Sequence, residues 1–378
     1  MFIKNDKINL FEAFSWIWSQ HQALKNLWYK VNVVWISDWY INAIIAYAVN
    51  HLKIKPKKID DIKIIDILKN YSLSFDSKKS AKNLQSLTSD KLSIIYQVIK
   101  KFWNLDINFI CGENLIWKDI DLFTYSFPCQ DISQQWKQKW FSKDTESRSW
   151  LLWQIERILK EMYEINPKKL PKILMMENVK ALLNDTFKSD LDNWLYELEK
   201  LWYKSNFPFV INSANLWEAQ RRERVFMFSY LWDKAPEKFK IDFNFKDKFI
   251  WDIFEEKMEH EEFKTNKNIK IVEMIQKTWI KKYFLEWYSN FNAESFVYFK
   301  DWKSPTITAS WAQSRIKIFH HDKIIYLNWF EHLKLQWFTD KKFYKNLVKY
   351  WLTDSKIKFL AWNSINIKVL EELFKFYL

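Results

Sequence analysis

The chain has 378 residues, 48% of them hydrophobic, with 59 Lys and Arg against 46 Asp and Glu and a formal net charge of +13. That length is ample for a buried core in two domains, or in one with a large insertion, and the basic excess fits a polyanionic partner as well as a merely lysine-rich composition. Two cysteines, Cys111 and Cys129, exclude a disulfide framework or a four-cysteine zinc site, and the chain shows neither a leader pattern nor a long apolar run, so a cytoplasmic protein without a membrane partner is expected.

In chain order, INLFEAF reads as a first strand and SQHQALKNL as the helix after it. KVNVVWIS reads as a second strand ending at Asp38, followed by the helix WYINAIIAYAVNH. Residues 52–100 are rich in Lys, Asp and Ser, with a weak helical period, and read as a surface elaboration. DIDLFTYSF predicts a buried strand running into PCQ, SWLLWQIERILKEMYEI an amphipathic helix, KILMMENV another strand and LDNWLYELEKLWY a helix. FPFVINSANL and RVFMFSYL read as a β-hairpin. This alternation predicts a parallel sheet covered by helices. Residues 233–300 lose the rhythm and predict a separate, smaller module, after which IKVLEELFKFYL returns to amphipathic helix.

Gly112 is the single glycine, whereas tryptophan occurs 24 times. Ordinary usage would give roughly 26 glycines. Trp16 and Trp18 lie where a strand should turn into a helix, and Trp136 and Trp140 lie in the polar run QQWKQKW. Glycine suits both places, because it takes positive φ and lets a backbone come close. The pattern predicts that UGA encodes glycine in the source and is written here as tryptophan; the alternative is a chain truly rich in tryptophan. Trp39, opening a helix, and Trp153, on an apolar helix face, read as genuine.

Four strings carry chemistry. With glycine at 16 and 18, residues 14–19 form a turn open to a ligand, and Asp38 can accept both hydroxyls of a ribose. The third glycine of the dinucleotide fingerprint is replaced by His21, which favours a cofactor without a pyrophosphate, such as S-adenosylmethionine. SFPCQDIS puts Cys129 at the mouth of the sheet, although a lone cysteine is more often an inert core residue. ENV ends a later strand with Glu177, whose neutral form burial would favour; in QRRERVF, Arg222 and Arg224 alternate and should share one strand face. Three of the six arginines fall in that last string. The six histidines show no metal-ligand spacing, and no metal is expected.

Together these strings resemble the DNA (cytosine-5)-methyltransferase family, in order and over nearly the whole chain. FEAFSWIWSQ, SFPCQDIS, SRSWLLWQIERIL, MMENVKALL, QRRERVF and SPTITASWAQSRI resemble successive family motifs, and LKLQWF and AWNSI place Trp337 and Trp362 where the family has glycine. The resemblance implies an α/β, Rossmann-like S-adenosylmethionine-dependent fold, mostly parallel, with helices on both faces. It implies a catalytic and cofactor-binding domain over 1–232, a target-recognition domain over 233–345 and a return segment over 346–378.

By the same resemblance, Cys129 attacks the 6-carbon of a flipped cytosine, Glu177 protonates ring nitrogen 3, Arg224 holds the 2-carbonyl oxygen, and Arg222 steadies the site and a nearby phosphate. Phe14, Trp16, Trp18, Asp38, Pro128, Asn363 and Ser364 would hold the cofactor, with Asp106 at its adenine or simply at the surface. Gln130, Ser133, Gln220 and Arg315 would contact DNA, and the stretch from Gln130 to about Ser147 would close over the base. The implied partners are double-stranded DNA and a cognate restriction endonuclease acting on the same site, within a restriction-modification system, and the implied state is a monomer. Two alternatives stay open: a tRNA cytosine-5 methyltransferase, against which residues 233–300 weigh, and a catalytically dead DNA-binding protein if the tryptophans are genuine.

Overall fold

In the computed structural model, which describes residues 6–14, 16–17, 19–128, 151–236, 239, 246–274, 280–308, 315–350 and 352–378, the apolar runs of the first half become one sheet. Its strands are β1 (Lys7–Ala13), β2 (Lys30–Ser37), β3 (Leu122–Tyr125), β4 (Ile173–Val179), β5 (Tyr203–Ser205), β6 (Phe209–Asn212) and β7 (Glu223–Leu231). The order is β2-β1-β3-β4-β7-β5, with β6 also paired to β7. The first four strands are parallel, and β7 runs antiparallel to both β4 and β5. β3 and β4 carry near-continuous apolar runs because they are central strands; Leu122, Phe123, Leu174, Met175 and Met176 are all buried. Ala13 pairs with Ser37 and with Tyr125, and Tyr125 with Met176, so the carboxyl ends of β1 to β4 align along one edge.

Helices α1 (Ser19–Asn26), α2 (Ile41–Asn50), α3 (Asp61–Leu68), α4 (Ser89–Phe102), α5 (Leu151–Ile165) and α6 (Asp185–Lys200) connect these strands. Every residue of α2 is buried, whereas α5 buries one stripe that includes Leu152, Ile155, Leu159 and Met162. Residues 52–100 are more than a surface elaboration. They form α3 and α4, and α4 packs on α2 with Leu92, Ile95, Val98, Ile99 and Phe102 buried.

The chain divides into two compact units, the first Met1–Ile211, Glu223–Lys240 and Glu371–Leu378, the second Asn212–Arg222 and Ile241–Leu370. The second unit thus includes the start of QRRER and reaches further toward the C-terminus than the expected 345. It holds a five-stranded sheet, β12-β11-β10-β9-β8, of β8 (Lys270–Met274), β9 (Lys282–Glu286), β10 (Phe296–Tyr298), β11 (Lys317–His320) and β12 (Lys323–Tyr326). Phe263, Leu285, Val297 and Tyr326 form its core. Helices α7 (Trp329–Leu335), α8 (Lys341–Lys349) and α9 (Asp354–Asn363) follow, and α10 (Ile367–Tyr377) carries the chain back to the first unit. Asn328 and Glu331 cap α7 reciprocally, each accepting a backbone N–H from the other's end. No helix among the described residues is long and apolar enough to cross a membrane.

Gly112 sits where an added Cβ would lie 2.6 Å from the backbone nitrogen of Met162, so α5 admits no side chain there. Fourteen described non-glycine residues have positive φ, and eight of them are tryptophans: 16, 28, 103, 202, 217, 232, 287 and 337. Trp362 is not among them, and its helical backbone gives no conformational reason for glycine.

Candidate active site

At the carboxyl edge of the first sheet, the antiparallel register sets Arg224 opposite Val179. Arg224 Nε then lies 3.2 Å from Glu177 Oε1, and both groups are largely buried. A guanidinium therefore faces the Glu177 carboxyl. Its neighbour Asn178 donates from Nδ2 to the Phe127 carbonyl at 3.1 Å, which ties the end of β4 to the segment leaving β3. Asn178 was not among the residues singled out from sequence, although it stands in the same three-letter motif. Half-buried Pro128 follows Phe127. Cys129, Gln130, Ser133, Trp136 and Trp140 lie outside the described residues, as does Trp18.

Along the same edge, the chain leaves β1 through Phe14 at φ 59° and Trp16 at φ 45°, and the Phe14 N–H donates to the Ser37 carbonyl at 2.8 Å. Asp38, at the end of β2, is buried; its Oδ2 accepts from the Trp16 N–H at 3.1 Å and its Oδ1 from the Tyr40 N–H at 2.8 Å. Burial pushes the Asp38 carboxyl up to about 7. Each carboxylate oxygen has a second lone pair, so the group fits the hydroxyls of a ribose. The Trp16 indole lies 5.7 Å from the Tyr40 ring, adding bulk beside that acceptor. Ser37 Oγ donates to the Leu105 carbonyl at 2.9 Å, which brings the NLDI string to this end of β2. Within it, the Asp106 carboxylate caps a short 3-10 turn, accepting from the Asn108 N–H at 3.0 Å, so its visible role is structural.

Beneath the turn lies a buried cluster that the sequence reading missed. The Glu12 carboxylate is fully buried and accepts from the His21 N–H at 3.3 Å and from the Tyr47 hydroxyl at 3.0 Å. It thereby links β1 to α1 and α2. Desolvation pushes Glu12 up to about 8 and holds His21 down at about 3. A carboxylate between apolar letters of a buried strand, as in FEAF, was the available signal.

The second unit holds the remaining expected residues, and the expected strand face of one of them needs correction. Arg222 precedes β7 instead of sharing a strand face with Arg224. Its buried guanidinium donates to the carbonyls of Trp362 at 2.7 Å, Ser364 at 3.0 Å and Ile307 at 3.4 Å, so it ties those strings together. Gln220 is fully buried and accepts from Gln336 Nε2 at 3.3 Å. Asn363 Nδ2 and Ser364 Oγ both donate to carbonyls of their own helix, those of Phe359 and Ala361. Arg315 is partly exposed, paired with Glu261 and stacked 4.0 Å from the Tyr326 ring centroid.

His320 and His321, expected to have no ligand role, come within 4.0 and 3.5 Å of Glu256. Lys300 Nζ lies 2.7 Å from His320 Nδ1, however, and an ammonium there opposes a metal cation.

The sequence profile of the C-5 cytosine-specific DNA methylase family matches residues 64–375. Orphan methyltransferase M.SssI of Spiroplasma monobiae is 37% identical, across 98% of this chain and 97% of its own length. Type II methyltransferase M2.ScrFI of Lactococcus lactis subsp. cremoris is 35% identical, over 59% of this chain and 61% of its own. Among solved structures, Schizosaccharomyces pombe Dnmt2 methyltransferase shares the fold, with a TM-score of 0.62 over 98% of both chains at 15% identity. Entamoeba histolytica methyltransferase EhMeth shares it too, with a TM-score of 0.58, covering 98% of this chain and 97% of its own at 14% identity. On the family match and the near full-length relative, the chain belongs to the C-5 cytosine-specific DNA methylases, which take their methyl group from S-adenosylmethionine.

Proposed function

We propose that this enzyme methylates a specific cytosine of duplex DNA, flipped out of the helix, with Cys129 as its nucleophile. One observation carries the reading: Glu177, Arg224 and the Phe127–Pro128 step leading into Cys129 are tied together at one edge of the first sheet. The 5-carbon of cytosine is a poor nucleophile. Attack by the Cys129 thiolate on the 6-carbon forms a C–S bond and moves ring electrons toward the 5-carbon. Glu177 holds a proton at ring nitrogen 3 and Arg224 donates to the 2-carbonyl oxygen, so the charge drawn into the ring has a partner at each end. Once the 5-carbon has taken the methyl group, loss of its proton restores the ring and expels the thiolate. S-adenosylmethionine, when bound, supplies an electrophilic methyl group. Asp38 and the Phe14 turn would hold its ribose side.

The second unit is the target-recognition region in this reading. The type II name of one relative supports a cognate endonuclease for this chain, and the orphan name of another supports a solitary enzyme. Bisulfite sequencing of DNA from cells that make the protein tests the function. Protected cytosines in one sequence context are expected, and uniform conversion would refute the proposal. Source-cell extract that cuts only unmethylated DNA at that context would establish the endonuclease; an extract that cuts neither form would dismiss it.

A further inference from the structure

We infer that the tryptophans at left-handed backbone positions are glycines in the protein its source makes, whereas Trp153 and Trp194 are tryptophans. The inference rests on backbone geometry and is independent of the catalytic reading. Tryptophan supplies 24 of 378 residues but eight of the 14 described non-glycine residues with positive φ. A bulky side chain is an outlier in that region, since Cβ crowds the carbonyl oxygen, and glycine is the residue that enters it freely.

The hydrogen bonds at three of these positions are those of glycine-terminated helical turns. After α1, the Trp28 N–H donates to the Lys25 carbonyl at 3.1 Å and the Tyr29 N–H to the Leu24 carbonyl at 3.1 Å. After α7, the Trp337 N–H donates to Lys334 at 2.8 Å and the Phe338 N–H to Leu333 at 3.1 Å. The Trp217 N–H donates to Ala214 at 3.1 Å and the Glu218 N–H to Ser213 at 3.2 Å. Each pair is the double closure of a Schellman motif, whose left-handed residue is usually glycine. Trp103 at φ 63°, ψ −57° centres a γ-turn closed by the Asn104 N–H on the Phe102 carbonyl at 2.7 Å, another conformation strained for a side chain.

Three of the indoles gain little in return, lying mostly in solvent. Trp28, Trp103 and Trp287 are 90%, 80% and 71% exposed. The Trp217 indole N–H is buried without a hydrogen-bond partner among the described residues. Trp153 and Trp194 differ in every respect. Both lie within helices and are buried, their rings meet edge-on at 6.2 Å, and Trp194 Nε1 donates to the Tyr125 hydroxyl at 3.3 Å.

The test is peptide sequencing by mass spectrometry of the protein purified from its source. Glycine is expected at 16, 28, 103, 202, 217, 232, 287 and 337, with tryptophan at 153 and 194. Tryptophan at the left-handed positions overturns the inference, and glycine at 153 and 194 overturns the division between the two classes. A second measurement uses the chain as written, made recombinantly. Trp28→Gly, Trp103→Gly and Trp287→Gly should each raise the folding equilibrium constant roughly five- to thirtyfold. Trp194→Gly should lower it; unchanged or reduced stability of the first three would show that their backbones bear no strain.

Discussion

Two stretches of one sheet edge work by different means. At the ends of β4 and β7 the chemistry lies in side chains: Glu177, Asn178 and Arg224 each present a functional group, and each has a protein partner. At the end of β1 it lies in the backbone: Phe14 and Trp16 turn at positive φ, and the Trp16 N–H holds Asp38. Where a side chain acts, the letter itself is the function. Where a turn acts, the function is the room that a missing side chain leaves, and a wrong letter registers as strain of about 1–2 kcal/mol per left-handed residue.

The sharpest test lies at the side-chain end. Cys129→Ser should lower methyl transfer at least about a hundredfold while cofactor affinity stays level, since it removes the nucleophile and little volume. A covalent adduct with 5-fluorocytosine duplex DNA should form with the parent and vanish in the variant. Transfer retained above about a hundredth of the parent rate would move the nucleophile elsewhere.

At the backbone end, Trp16→Gly with Trp18→Gly should tighten S-adenosylmethionine binding at least about tenfold, or about 1.4 kcal/mol, in calorimetry. Equal affinities in the two chains would erase the contrast. A smaller effect follows from Asp38. Its carboxyl titrates near 7, and ribose hydroxyls favour the ionised acceptor. Affinity should therefore fall severalfold as pH drops through that value, and Asp38→Asn should flatten the profile.

The smallest effect concerns the shared floor beneath the turn. Glu12, held at about 8 against an ordinary 4.5, keeps in the folded state a proton that the unfolded chain releases. Stability should fall as pH rises between those values. His21, held at about 3 against 6.5, works in the opposite direction, with stability lost as pH falls through that interval. Glu12→Gln should remove the alkaline loss, worth a few degrees in Tm, and leave the acid limb. An alkaline limb that persists in the variant would assign the loss to another group.

Much of the first unit is legible in the letters, because β1 to β4 are apolar runs that end in distinctive motifs. Helix α4 escaped because its spacing in LSIIYQVIKKF is diluted by the polar stretch before it. The five-stranded sheet escaped for another reason. Its strands have only three to five residues, and lysines such as Lys282, 3.0 Å over the Phe296 ring, stand where alternation leads one to expect apolar groups. Motif spacing also could not separate Arg222 from Arg224. One serves carbonyls of the second unit and the other a carboxylate of the first, a difference that depends on residues more than 80 positions away from Arg222.

The last segment of the chain sets the order in which the protein is built. Within the first unit, Tyr377 stacks on Phe228 at 4.1 Å, its hydroxyl accepts from Asn206 Nδ2 at 3.1 Å, and its carbonyl accepts from the Tyr230 hydroxyl at 2.7 Å. Asn26 Nδ2 reaches Glu371 at 2.6 Å. These partners leave the ribosome well before Glu371–Leu378, with the second unit translated in between. The catalytic sheet therefore cannot finish packing as it emerges, and must wait, partly open and with apolar surface exposed, until the chain has made its other half and come back.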